Sequence, residues 1–168
     1  MTPAHPDPVV TVRWAQPADS AAMVALIRAL AAFERAEDQV EIDDHQLAGA
    51  LFGPAPRLFA HVAEDRGEVV GLAIWFVNFS TWTGRHGIYL EDLFVHPSAR
   101  RRGAGRALLA TLAQVAVARG YTRVEWAVLD WNEPAIDFYR RLGAVALDDW
   151  TIFRLAGARL GALAAGEP

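Results

Sequence analysis

Apolar positions recur along this chain with two different periods. Residues 9–14 form a short β-branched run, and Met23, Leu26, Ile27 and Leu30 then repeat at helical spacing across 20–33, with Asp19 placed as the N-cap. Asp43 or Asp44 caps a second short helix that runs through Leu51 and is stopped by Gly53-Pro54-Ala55-Pro56. Residues 58–64 and 68–77 read as strands joined across Asp65-Arg66-Gly67, a hairpin connection, and a further strand over 87–95 ends at His96-Pro97. A loop rich in Arg and Gly leads into a helix over 104–119, whose Leu108, Leu109, Leu112, Val115 and Ala116 make one apolar stripe. Beyond it come a strand over 123–129, a helix over 133–142 with Pro134 in its first turn, and a terminal strand pair over 144–155 turned at Asp148-Asp149. The order β-α-α-β-β-β-α-β-α-β-β predicts one mixed α/β domain over 9–160, with a disordered arm at 1–8 and a flexible tail at 161–168.

Composition narrows what such a domain can do. At 168 residues and 53% hydrophobic, the chain has enough apolar side chain for a real core. Sixteen basic against 20 acidic residues leave a net charge of -4, which argues against holding nucleic acid and favours a cationic partner. There is no cysteine, so disulfides, thiolate metal sites and a Cys nucleophile are excluded. Every basic residue is Arg, which removes Lys-based chemistry. His5, His45, His61, His86 and His96 are scattered without metal-ligand spacing, so no metal site is expected. The first ten residues hold three prolines and no apolar signal-type core, and no run approaches the roughly 18 apolar residues of a membrane helix. The expectation is a cytoplasmic protein without a membrane partner.

Arg100-Arg101-Arg102-Gly103-Ala104-Gly105 lies between a strand end and a helix start, where free backbone N–H groups and the positive end of the helix dipole meet an anion. Three arginines in an acidic chain suit a diphosphate. A nucleoside triphosphate loop needs Gly-Lys-Ser/Thr and fails for want of Lys. A dinucleotide fingerprint fails on spacing, because 96–102 intervene after the strand and Leu108 stands where a third glycine belongs.

With the strand Leu90-Glu91-Asp92-Leu93-Phe94-Val95 before it, Arg100-x-x-Gly103-x-Gly105 resembles the acetyl-coenzyme A loop of the GCN5-related N-acetyltransferase (GNAT) family. The segments YLEDLFV, RGAG and WNEPAIDFYRRLGA resemble its diamine acetyltransferase branch, which acetylates spermidine, spermine or thialysine-like amines. The resemblance implies a splayed mixed sheet of six or seven strands flanked by about four helices, acetyl-CoA as cofactor with pantetheine in the split, and a homodimer. The pantetheine amides then meet the strand edge at Leu93, Phe94 and Val95. The pyrophosphate meets the loop from Arg100 through Arg101, Arg102, Gly103, Ala104 and Gly105 to Arg106, while Asn132, Glu133, Pro134 and Ala135 approach the coenzyme from the other side. Read on its own, Asn132 is equally a helix N-cap.

Tyr139, on the residues alone either core or site, is by resemblance the general acid that protonates the departing thiolate, a phenol near ~10 facing a thiol near ~8.5. An alkyl amine with a pKa of about 10.4 is neutral in only about one molecule in 2,500 at pH 7, so the site needs a proton acceptor. Glu91 and Asp92 are neighbours on a strand, and alternation sends them to opposite faces unless the strand bulges. The resemblance favours Glu91 as base, with Asp92 binding substrate or supporting the fold. By the same resemblance Phe33 and Glu34, Trp82, and Asp148 or Asp149 coincide with substrate-groove positions of polyamine enzymes, an aromatic and acidic wall suited to an ammonium. Ser80 stands where polyamine enzymes have an acid, and the loop before Trp150 is shorter. The function expected is acetyl transfer to a small di- or polyamine. The alternatives are a thialysine-like amino acid or a peptide amine as acceptor, or a sensor that binds acetyl-CoA without turnover.

Overall fold

The computed structural model describes residues 10–166, so the predicted arm at 1–8 lies outside the described residues. The elements are β1 (Thr11–Trp14), α1 (Ser20–Phe33), α2 (Asp44–Phe52), β2 (Phe59–Asp65), β3 (Glu68–Ser80), β4 (Arg85–Val95), α3 (Ala104–Ala118), β5 (Val124–Glu125), α4 (Glu133–Arg141) and α5 (Gly157–Ala164). Two compact units divide after Ala127.

The first unit carries a five-stranded sheet in the order β1-β2-β3-β4-β5, antiparallel except for the parallel β4–β5 pair. Arg66 and Gly67 both take positive φ, 54° and 86°, and Asp65 pairs with Glu68, which makes the predicted turn a two-residue primed hairpin loop. Asp43 is the helix cap: its carboxylate accepts from the Gln46 amide at 2.7 Å while Gln46 returns a bond to the Asp43 amide. Asp19 does not cap α1 with its side chain. Its carboxylate instead takes both Nη groups of Arg13, at 2.7 and 2.9 Å, and the Gln16 amide, and the Arg13 bond holds it below the usual carboxylate range.

Alternation along the strands separates two apolar layers. On one face Met23, Val24 and Leu26 of α1 and Leu47 and Leu51 of α2 pack on Ala60, Val62, Leu72, Ile74 and Phe94. The odd-numbered positions of β2 carry the other layer, where His61 is only 2% exposed and its Nδ1 accepts from Trp75 Nε1 at 3.2 Å. Trp14 lies 4.0 Å from the His61 ring, and the Arg119 guanidinium, just beyond α3, covers the rings of Trp75 and Phe59. Burial, with Arg119 nearby, pushes the His61 pKa down to about 4.

In the second unit, Asn132 caps α4, with its Oδ1 accepting from the Ala135 amide at 3.4 Å. The helix closes through Gly143 (φ 88°), whose amide donates to Arg140 O while Ala144 donates to Tyr139 O, a Schellman closure.

Three expectations change. The sheet among the described residues has five strands and not six or seven, with five α-helices and not about four. Residues 144–155 form no strand, although the Asp148-Asp149 turn is present, closed by Trp150 N donating to Leu147 O at 3.2 Å. Strand-forming residue types and a turn supply no partner ladder, and a strand exists only through its partner. The segment read as tail begins inside α5, an Ala- and Leu-rich helix interrupted by Gly161.

Candidate active site

The ladder between β4 and β5 is two residues long, Ile88 with Val124 and Tyr89 with Glu125. Beyond Tyr89 no strand among the described residues pairs with the edge of β4 on that side over residues 90–95, and at its end the Val95 carbonyl accepts from Arg100 Nε. β4 also slips in register against β3: Ile74 faces Asp92 and Trp75 faces Leu90, which leaves Glu91 as the extra residue of a bulge. That is the one circumstance in which two neighbouring acids escape alternation. Glu91 is exposed and Asp92 half-buried. Burial, reinforced by the nearby charges of Glu91 and Glu34, pushes the Asp92 carboxyl up to about 6. Glu34, at the C-cap of α1, is also raised by partial burial. Three acids from two distant segments therefore converge.

The loop after β4 distributes its arginines unequally. Arg100 turns back, with Nε donating to Val95 O at 3.0 Å and its guanidinium 5.4 Å from the Phe33 ring centre and 5.5 Å from that of Phe94. Arg102 Nη2 is bound to Asp65 Oδ2 at the end of β2. Arg101 and Arg106 are exposed, and neither makes a side-chain hydrogen bond or ion pair among the described residues. Arg101 (φ 63°) and Gly103 (φ 84°) are both left-handed, and Gly103 serves as a cap without a side chain. The amides of Ala104, Gly105 and Arg106 in the first turn of α3 thus have no capping side chain, which leaves an anion-receptive N-terminus.

The first unit gathers Phe33, Glu34, Glu91, Asp92 and the loop at one end of β4. It does not bring Trp82 there. Trp82 is 87% exposed in the β3–β4 turn, and Glu91 stands six residues beyond Arg85, so the two are about 20 Å apart at a rise of about 3.4 Å per residue. In the second unit Glu133, Pro134 and Ala135 form the first turn of α4, half-buried Tyr139 stands near its end with its ring 5.4 Å from that of Phe138, and Asp148 is exposed in its turn. The pairing of Arg102 with Asp65 was not legible in sequence: Asp65 reads there as a hairpin acid, and Arg102 lies far from it along the chain.

Residues 22–144 match the family described as Acetyltransferase (GNAT) family. The chain belongs to the GNAT acetyltransferases. Members of that family use acetyl-CoA, and the protein is an acyl-transferring enzyme. The thialysine N-epsilon-acetyltransferase of Bos taurus is 38% identical over 166 residues, covering 92% of this chain and 97% of its own. Spermidine/spermine N(1)-acetyltransferase-like protein 1 of Homo sapiens is 29% identical over 153 residues, covering 85% of this chain and 22% of that one. Among solved structures, an integron cassette protein from the mobile metagenome of V. cholerae superposes with a TM-score of 0.78 at 24% identity, covering 93% of this chain and 98% of its own, and so shares the fold. No helix among the described residues is long and apolar enough to cross a membrane.

Proposed function

We propose that this GNAT enzyme acetylates the terminal primary amine of a small thialysine-like amino acid, with acetyl-CoA as donor. The observation that carries the reading is the convergence of Glu34, Glu91 and Asp92 at the β4 bulge, next to a strand edge that no described strand pairs with and an anion-receptive loop. An ammonium entering there is attracted by all three acids, with the Phe33 ring alongside. The relatives support the amino-acid acceptor, first given as the alternative, more than the polyamine: the bovine thialysine enzyme matches across nearly both chains, while the polyamine-type protein matches at lower identity.

The donor set fits acetyl-CoA. Arg101, Arg106 and the first-turn amides of α3 would hold the diphosphate, and the edge at residues 93–95 would take the pantetheine amides. When bound, the coenzyme supplies an acetyl group activated as a thioester. Asp92 or Glu91 would accept the amine proton. Moving a proton from an amine of about 10.4 to a carboxylate at about 6 costs about 6 kcal/mol, against about 9 kcal/mol for one at 3.8, so the raised carboxyl of Asp92 is the better acceptor. Glu91, the exposed bulge residue, is then the electrostatic partner. Tyr139 Oη would donate the proton that leaves with sulfur. A homodimer belongs to the same reading.

The test is amine-dependent release of free thiol from acetyl-CoA across thialysine, spermidine and spermine. Thialysine is expected to be the best acceptor, and Tyr139→Phe to lower kcat with cofactor affinity retained. Preference for spermidine that collapses in Glu34→Gln would install the polyamine reading, first given as the main one. Binding without thiol release for any amine would refute catalysis and leave a sensor.

A further inference from the structure

The left-handed backbone of Arg101 is a strained conformation for a residue with a Cβ, and such residues persist only where their surroundings over-determine them. Its two neighbours are the anchors. Arg100 is tied to Val95 O and covered by Phe33 and Phe94, and Arg102 is tied to Asp65. Asp65 is 8% exposed, it ends β2 beside a rigid two-residue turn, and its Oδ1 has no hydrogen-bond partner among the described residues. A buried carboxylate with half its capacity unmet is an expensive group to keep in a fold for stability alone. It also sits, as a negative charge, beside a loop that would bind a polyanion.

We propose that Asp65 is a positioning residue for the acyl-carrier loop: by holding Arg102 it removes that guanidinium from phosphate binding and clamps the strained turn so that Arg101 and the first-turn amides of α3 face the diphosphate. This rests on the reading of the loop as the acetyl-CoA site. It differs from the expectation that all three consecutive arginines supply positive field to the ligand. Arg102 is a strut, and Arg101 and Arg106 are the phosphate ligands.

The test measures acetyl-CoA Kd by calorimetry, steady-state constants, and amide exchange of residues 101–107 in Asp65→Ala, Asp65→Asn, Arg102→Ala and the double variant. Asp65→Ala and Arg102→Ala should each weaken Kd and raise KM for acetyl-CoA by about five- to tenfold with kcat within about twofold, and the double variant should be no worse than either single one. Exchange of the loop amides should accelerate, and acetyl-CoA should restore protection. Asp65→Asn, which keeps the shape and an oxygen for Arg102, carries the test where the alanine variant does not fold, with a smaller loss of the same kind. Tighter binding in Asp65→Ala would overturn the proposal, because it would make the acid a mere competitor for an Arg102 that binds phosphate; additive losses would overturn it too. Arg101→Ala and Arg106→Ala report on the underlying reading. If the unaltered enzyme binds no acetyl-CoA, or both of these variants bind it as well as that enzyme does, the loop itself is misassigned and the strut falls with it.

Discussion

Replacing Asp92 by Asn separates the demands of folding from those of the site. The folded protein holds the Asp92 carboxyl at about 6 against an ordinary 3.8, chiefly through burial and secondarily through Glu91 and Glu34. Because the folded state keeps this proton more tightly than the unfolded chain, the contribution to stability falls as pH rises from about 4 to about 6, and the full cost stands above that window. At 1.36 kcal/mol per pH unit the cost is about 3 kcal/mol at neutral pH. Asp92→Asn should therefore be more stable than the parent by up to about 3 kcal/mol at pH 8, by almost nothing at pH 4, and at least about a hundredfold slower in acetyl transfer. Urea unfolding followed by tryptophan fluorescence at several pH values reads the difference, and titrations common to both proteins cancel. An equal stability gain at pH 4 and pH 8 would refute the reasoning, since it would trace the effect to packing. No gain at pH 8 would show that the ionised carboxylate is not held at a cost.

His61 contributes the opposite slope. Its folded pKa of about 4 lies below the ordinary 6.5, so stability is fully present above 6.5 and is lost, by about 3 kcal/mol, as pH falls toward 4. The two groups nearly cancel in the parent, and Asp92→Asn should expose the histidine slope; adding His61→Gln, which keeps an acceptor for Trp75 Nε1, should flatten it, and a slope that survives would assign it elsewhere. Gly87→Ala tests the β5 edge: a Cβ there would stand 2.7 Å from both Arg123 Cγ and Asn78 Oδ1, inside the network in which Arg123 and Asn78 both bind Glu125. A loss of about 1–3 kcal/mol by thermal unfolding is expected, and an unchanged midpoint would show that the network yields freely.

Local chemistry was legible wherever a residue acts through its immediate neighbours. Asp43 caps α2, Asn132 caps α4, Arg66-Gly67 makes the hairpin turn and Gly103 opens α3, each within a few residues of the signal that announced it. The stripe of α3 likewise became a buried face, and β2, β3 and β4 formed within a few residues of where they were read. The terminal strand pair failed for the reason that strand-forming residue types and a turn carry no information about a partner. The acid neighbours Glu91 and Asp92 were recognised together with the condition that would unite them, but a bulge is a mismatch of register between two strands and belongs to neither alone.

The amino-acid order by itself determined the elements, their caps and turns, the glycine and arginine loop, and the family to which these belong. Only the tertiary structure decided which charges are spent and which are available. Arg100 and Arg102 are taken up by Val95 and Asp65, Arg101 and Arg106 have no side-chain partner among the described residues, and the Asp92 carboxyl is raised by burial and Glu91, with Glu34 adding from a helix remote in sequence. Charge–charge energy depends on separation and burial in space, and chain order specifies neither.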